Sequence, residues 1–111
     1  MAKSKNHFLG KWRIVWMEAW DADFFDMEVP AYVQIEHDNM GGFHFGTVRG
    51  EVDGRIEIVD SLPRFSFSWE GSAEMDDVSG RGWMMREGDQ VTGHIYFHMG
   101  EESAFRATHE K

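Results

Sequence analysis

Arg64-Phe65-Ser66-Phe67-Ser68-Trp69-Glu70-Gly71 sets an aromatic ring at every second position, with serines and a glutamate between the rings. A period of two is the signature of a strand, whose side chains point to opposite faces in turn, so this stretch reads as a β-strand with one buried face and one wet face. The same rhythm continues on both sides. Downstream, Gly80 to Glu87 sets Trp83 and Met85 against Met84 and Arg86, and Gly88-Asp89 fits a type II′ turn. Val91, Gly93, Ile95 and Phe97 then alternate with His94, Tyr96 and His98, and a last strand runs about Ser103 to His109. The polar stretch Ser72 to Ser79 reads as an acidic loop.

Upstream, Leu62-Pro63 interrupts the pattern, and Arg55 to Asp60 resumes it. Asp53-Gly54 predicts a tight hairpin, because a two-residue type I′ turn needs positive φ at both positions and this pair tolerates it. The strand before it spans Gly42 to Val52, with Phe43 and Phe45 inward and His44 and Val48 opposite; Asp38 to Gly42 supplies turn residues, and Ala31 to His37 forms another strand. The stretch 21–27 predicts a short helical turn, capped by Asp21 and followed by Pro30. The first strand, Lys11 to Glu18, places Trp12, Ile14 and Trp16 on one face. The fold expected is all-β: an antiparallel up-and-down meander of about eight strands that curls and closes into a small barrel. Its interior is predicted to hold Trp12, Trp16, Phe43, Phe45, Phe65, Phe67, Trp69, Trp83, Ile95, Phe97 and Phe105.

The chain has 111 residues, enough for one domain over 1–111, with 1–8 expected to be a flexible arm. Five Trp and nine Phe supply ample apolar surface against chain entropy. The longest run of large apolar residues, Ile14-Val15-Trp16-Met17, is far short of the ~20 residues of a membrane span. The formal net charge of −9 repels polyanions and argues against a nucleic-acid partner. With no cysteine, disulfides, thiolate catalysis and Cys-ligated metal sites are excluded. Basic residues precede no apolar segment at the amino end, so the expected location is the cytoplasm.

No cofactor and no metal is expected. His94 and His98 have the H-x-x-x-H spacing of a zinc site on a helix, but on a strand they stand ~13 Å apart, too far for one ion. The acidic run Asp21, Asp23, Asp26 and Glu28 lacks the order and the glycine of an EF-hand loop; like Glu74, Asp76 and Asp77, it reads as a solvated loop.

Gly10-Lys11-Trp12, at the head of the first strand of a meander, resembles the G-x-W signature of the calycin superfamily, the lipocalins and streptavidin-like proteins. With seven further strands and no carboxy-terminal helix, the chain is more similar to the short streptavidin-type barrel. In lipocalins a late arginine packs on that tryptophan at the closed end, and the arginine of the last strand here is Arg106. The resemblance implies a cup for a small, often apolar or ring-shaped ligand. The segments Phe67 to Gly71, Ser79 to Trp83 and Gly93 to His98 are also similar to a pattern seen in small bacterial proteins, a likeness that carries no activity with it.

Three functions follow as expectations. The first is a non-enzymatic binding module, with Trp12, Trp16, Phe43, Trp69 and Trp83 walling an open end that accepts a small, largely apolar molecule. The second is a small enzyme using Glu70, His94, Tyr96, His98 and Arg106, with Ser66 and Ser68 on the same polar face, where a carboxylate near a histidine tunes acid–base chemistry. The third is an interaction protein, a homodimer formed through an outer patch of Met17 and Met84 with Val15 and Val48.

Overall fold

The computed structural model describes residues 7–110. Eight strands run in chain order around a closed antiparallel barrel: β1 (Gly10–Met17), β2 (Tyr32–Ile35), β3 (Met40–Phe45), β4 (Val48–Val59), β5 (Leu62–Ala73), β6 (Asp76–Glu87), β7 (Gln90–Phe97) and β8 (Glu102–Glu110). A single helical turn, α1 (Ala22–Phe25), lies between β1 and β2, and Asp21 caps it by accepting from the Phe24 amide at 3.3 Å. Strand β1 pairs with β8, from Lys11 opposite Glu110 to Met17 opposite Phe105, which closes the ring. Among the described residues no helix is long and apolar enough to cross a membrane.

The predicted turn at Asp53-Gly54 is not there. Both residues lie inside β4, opposite Ser68 and Phe67, and the chain turns seven residues earlier at Gly46-Thr47, where Phe45 faces Val48. Gly46 has φ +57, and a Cβ on it would come within 2.4 Å of the Phe24 ring. The strand count survives because one long predicted strand and one short one exchange residues across the moved turn. Val48 consequently points inward and is buried. The expected acidic loop over 72–79 is instead a tight hairpin turning at Glu74-Met75, with φ of 50 and 77; Asp60-Ser61, with φ of 52 and 70, turns β4 into β5. Leu62 and Pro63 belong to β5 rather than breaking it.

What Gly54 does is take a ring. A Cβ there would sit 2.2 Å from Phe65, and the same arrangement recurs across the barrel wall: Gly50 under Phe43, Gly82 under Phe67, Gly93 under Phe105. Three of these are directly opposed pairs, Phe43 with Gly50, Phe67 with Gly82 and Phe105 with Gly93. A small barrel has room inside for one layer of side chains, so a large ring from one strand is matched by a missing side chain on the next.

Two of the predicted interior residues are corrected, one by this rule and one by a bulge. Gly80 and Gly82 occupy inward positions of β6, so the parity of that strand puts Met84 in the core and Trp83 on the outer face. In β1 the register shifts between Ile14 and Trp16, a β-bulge at which Val15 is the extra residue. Trp12 and Ile14 remain inside, but after the bulge Trp16 faces out, 38% exposed, and Met17 turns in, 3% exposed.

Both ends of the barrel are covered. At one end Phe8 is fully buried against Phe65, with ring centres 5.6 Å apart, and Trp12 Nε1 donates to the Phe8 carbonyl at 2.8 Å. Phe8 is thus a fixed part of the core; residues 1–6 of the expected arm lie outside the described residues. At the other end Trp20, from the segment joining β1 to α1, lies over Phe45 at 5.3 Å and Phe97 at 6.3 Å and beside Phe24 at 5.7 Å. Between the ends, Trp12, Ile14, Val33, Phe45, Val52, Phe65, Met84, Val91, Ile95 and Phe105 are buried to within 1%. The lumen is packed with side chains.

Candidate functional site

The expected cup wall divides into three places. Trp12 belongs to the end covered by Phe8. Phe43 and Trp69 lie in the opposite half, where Trp69 meets Phe43 edge-on at 5.0 Å and Phe97 edge-on at 5.1 Å, directly below the Trp20 cap. Trp16 and Trp83 are on the outside for the reasons of bulge and parity given above.

The inner ring cluster of Phe43, Phe45, Trp69 and Phe97 with Trp20 and Phe24 contains one polar atom out of place. Trp69 is 3% exposed and its indole Nε1 is buried with no hydrogen-bond acceptor. A buried donor without a partner costs about 1–3 kcal/mol, so native proteins almost always supply one. The atom lies close to Gly80, where a Cβ would be 3.0 Å away. Gly80 and Phe97, with His98 and Met99, line an adjoining crevice of about 280 Å³ at the rim. A second rim hollow, of about 450 Å³, is lined by Trp20 and Phe25 together with the exposed Val15, Trp16 and Glu18.

The polar face of the second half is assembled only in part. His94 and Tyr96 stack at 4.6 Å, and the Trp83 ring lies nearly parallel to that of His94 with centres 6.4 Å apart. The carboxylate partner of His94 is Glu102, whose Oε1 lies 2.8 Å from His94 Nε2. Glu70 stands in a different row of the barrel wall, opposite Glu51 on β4 and Ser79 on β6. His98 lies at the rim, exposed, its amide donating to the Ser79 carbonyl. Arg106 faces Thr92 and Trp16, and its guanidinium carbon is 4.6 Å from the centre of the Trp16 ring. Ser66 and Ser68 do share one stretch of outer wall, opposite Trp83 and Arg81. The five groups of the enzyme reading are therefore not gathered at one point.

No family model, curated protein or solved structure matches this chain.

The proposed outer methionine patch is also corrected. Met17, Met84 and Val48 are core residues at 4% exposure or less, leaving Val15 alone outside. Sequence reasoning missed the aromatic residues that cover the ends, Phe8, Trp20, Phe24 and Phe25. They lie in segments without strand periodicity, where the only signal was the presence of large rings in a loop. It also missed a buried histidine, His44, 6% exposed, whose Nε2 lies 3.0 Å from Glu28 Oε1 and whose ring meets Tyr32 edge-on. Among the described residues no group of three or more metal-ligating side chains forms.

Proposed function

We propose that this protein is a non-catalytic binding module with a calycin-like barrel, and that it takes a small, largely apolar, ring-shaped ligand at the end covered by Trp20. The observation that carries the reading is the buried Trp69 Nε1 without an acceptor, set among aromatic rings. A ligand carrying one carbonyl or ether oxygen would satisfy that donor and lay its apolar part against Phe43, Phe45 and Phe97. The cover is built to give way. Trp20 is half-buried, lies on a connecting segment and is fixed by ring contacts to Phe24, Phe45 and Phe97. Removing it from the cluster would open space for one flat molecule, and burial would contribute about 25 cal/mol per Å² of apolar surface. The G-x-W motif at the opposite, sealed end supports the same kinship.

The test is a titration of the protein with aromatic ketones and with the matching hydrocarbons, read by tryptophan emission and native mass spectrometry. Saturable binding that favours the ketone, and loses that preference in Trp69→Phe, supports the reading. Equal response to ketone and hydrocarbon, or none to either in both the natural chain and Trp20→Ala, overturns it.

A further inference from the structure

On the outside of the barrel the middle of β5 is low. Ser66 and Ser68 are small, while the strands on either side carry long side chains, Arg55 and Glu57 on β4 and Arg81 and Trp83 on β6. The result is a groove of about 560 Å³, floored by the serines and walled by Arg55, Arg64, Arg81, Trp83 and Tyr96. Its volume lies within the range of small-molecule sites.

The chemistry of the groove departs from that of the chain. The chain carries a net charge of −9, yet three of its seven arginines, Arg55, Arg64 and Arg81, line this one hollow. Of the two carboxylates on its rim, Glu57 is already engaged, accepting from Ser66 Oγ at 2.8 Å and pairing with Arg64 at 3.6 Å; Asp53 stands directly opposite Ser68, in the same row as Arg81. Arg55 and Arg81 form no ion pair among the described residues, and Arg64 Nε is buried without an acceptor. Rings back the guanidinium groups: Arg81 lies 5.0 Å above Tyr96 and Arg64 lies 5.7 Å from Trp83. A guanidinium stacked on a ring keeps its in-plane N–H donors free, which is the geometry that grips a carboxylate or phosphate through two parallel hydrogen bonds.

We propose that this groove is a second binding site, separate from the one beneath Trp20, for a flat aromatic molecule carrying an oxyanion. The oxyanion is taken by Arg81 and Arg55. The ring of the ligand lies over the two serines against Trp83. The overall acidity of the surface does not oppose this, because screening confines the repulsion to about 8 Å at physiological salt and, of the charges lining the hollow, three guanidinium groups outnumber the two carboxylates Asp53 and Glu57.

The experiment uses the full chain and four probes: 2-naphthoate, 2-naphthyl phosphate, neutral 2-naphthamide and acetate. Binding is followed by amide chemical shifts in NMR. The expected result is saturable shifts at Ser66, Ser68, Arg81 and Trp83 with either naphthyl anion, and binding at least tenfold weaker for the amide and for acetate. Arg81→Gln and Arg55→Gln, both on exposed side chains, should each weaken the naphthyl anions about tenfold without changing the melting temperature. Preference for one anion over the other then tells whether carboxylate or phosphate is the natural group. Three results would overturn the proposal: equal binding of naphthoate and naphthamide, shifts confined to Trp20, Phe45, Phe97 and Trp69, or naphthoate binding unchanged in both arginine variants.

Discussion

Arg86 lies with its guanidinium carbon 5.1 Å from the centre of the Trp12 ring, and its Nη1 and Nε donate to the carbonyls of His7 and Gly88, each at 2.7 Å. The tryptophan of the Gly10-Lys11-Trp12 motif does have an arginine on it at the sealed end, but that arginine comes from β6. Arg106, the one in the last strand, stacks on Trp16 outside the wall. Arg86→Ala should therefore destabilise the protein by about 1–2 kcal/mol, through the lost cation–π contact and two lost hydrogen bonds. Arg106→Ala should cost under about 1 kcal/mol, since its one stacking contact is on the surface. Chemical denaturation of the two variants side by side decides this, and equal losses would refute the assignment.

The glycines that receive rings are expected to be intolerant of a single methyl group. In Gly82→Ala the new Cβ meets Phe67 Cζ at 2.5 Å and the His94 carbonyl at 2.6 Å. Overpacking of this kind costs about 1–3 kcal/mol. Gly88→Ala provides the contrast, since nothing lies within 4 Å of its Cβ and only its φ of +64 resists the change, a cost of about 1 kcal/mol. The midpoint of urea unfolding should fall further for Gly82→Ala than for Gly88→Ala.

Trp12 and Trp16 stand four residues apart on one strand but on opposite sides of the wall. Trp12→Ala should cost about 3–5 kcal/mol, as expected for a fully buried indole. Trp16→Ala should cost about 1 kcal/mol or less, because the bulge has already put its ring in contact with water. Similar melting temperatures for the two variants would mean that the register shift between Ile14 and Trp16 is misplaced.

Trp69→Phe keeps a ring in the cluster and removes the indole N–H that has no acceptor. The unliganded protein should lose less than the usual cost of trimming a core tryptophan and can gain up to about 1–3 kcal/mol from the relieved desolvation. Differential scanning calorimetry measures it, and a loss as large as that of Trp12→Ala would show that the N–H is satisfied after all.

The alternation of Phe65, Phe67 and Trp69 was enough to read a half-buried strand, and its recurrence in about eight segments joined by turns was enough to read the barrel. Position along the strand was harder to read. Asp53-Gly54 has ideal turn chemistry, but Gly54 is required beneath Phe65, a contact across strands that local propensity cannot report. Conversely, Glu74-Met75 and Asp60-Ser61 turn the chain without glycine, so the glycine signal was missing at those two turns, whereas the chain does turn at Gly88-Asp89 as expected. The faces of Trp16 and Trp83 were misread for related reasons, one extra residue in β1 and the small inward glycines of β6. For the sites, Phe43 and Trp69 were legible as inward rings. The cover formed by Trp20 and Phe24, and the arginine-lined hollow over Ser66 and Ser68, depend on which residues of distant segments become neighbours, and no pattern within one strand encodes that.

The joining of β1 to β8 also sets the order in which the protein can be made. Strand β1 leaves the ribosome before the other seven and finds its last hydrogen-bonding neighbour only when β8 has emerged, so until then the nascent barrel carries one unsatisfied ribbon edge, with Trp12 and Ile14 beside it. A carboxy-terminal truncation that removes β8 would leave that edge permanently open, and the expected fate of such a fragment is aggregation rather than a smaller folded barrel.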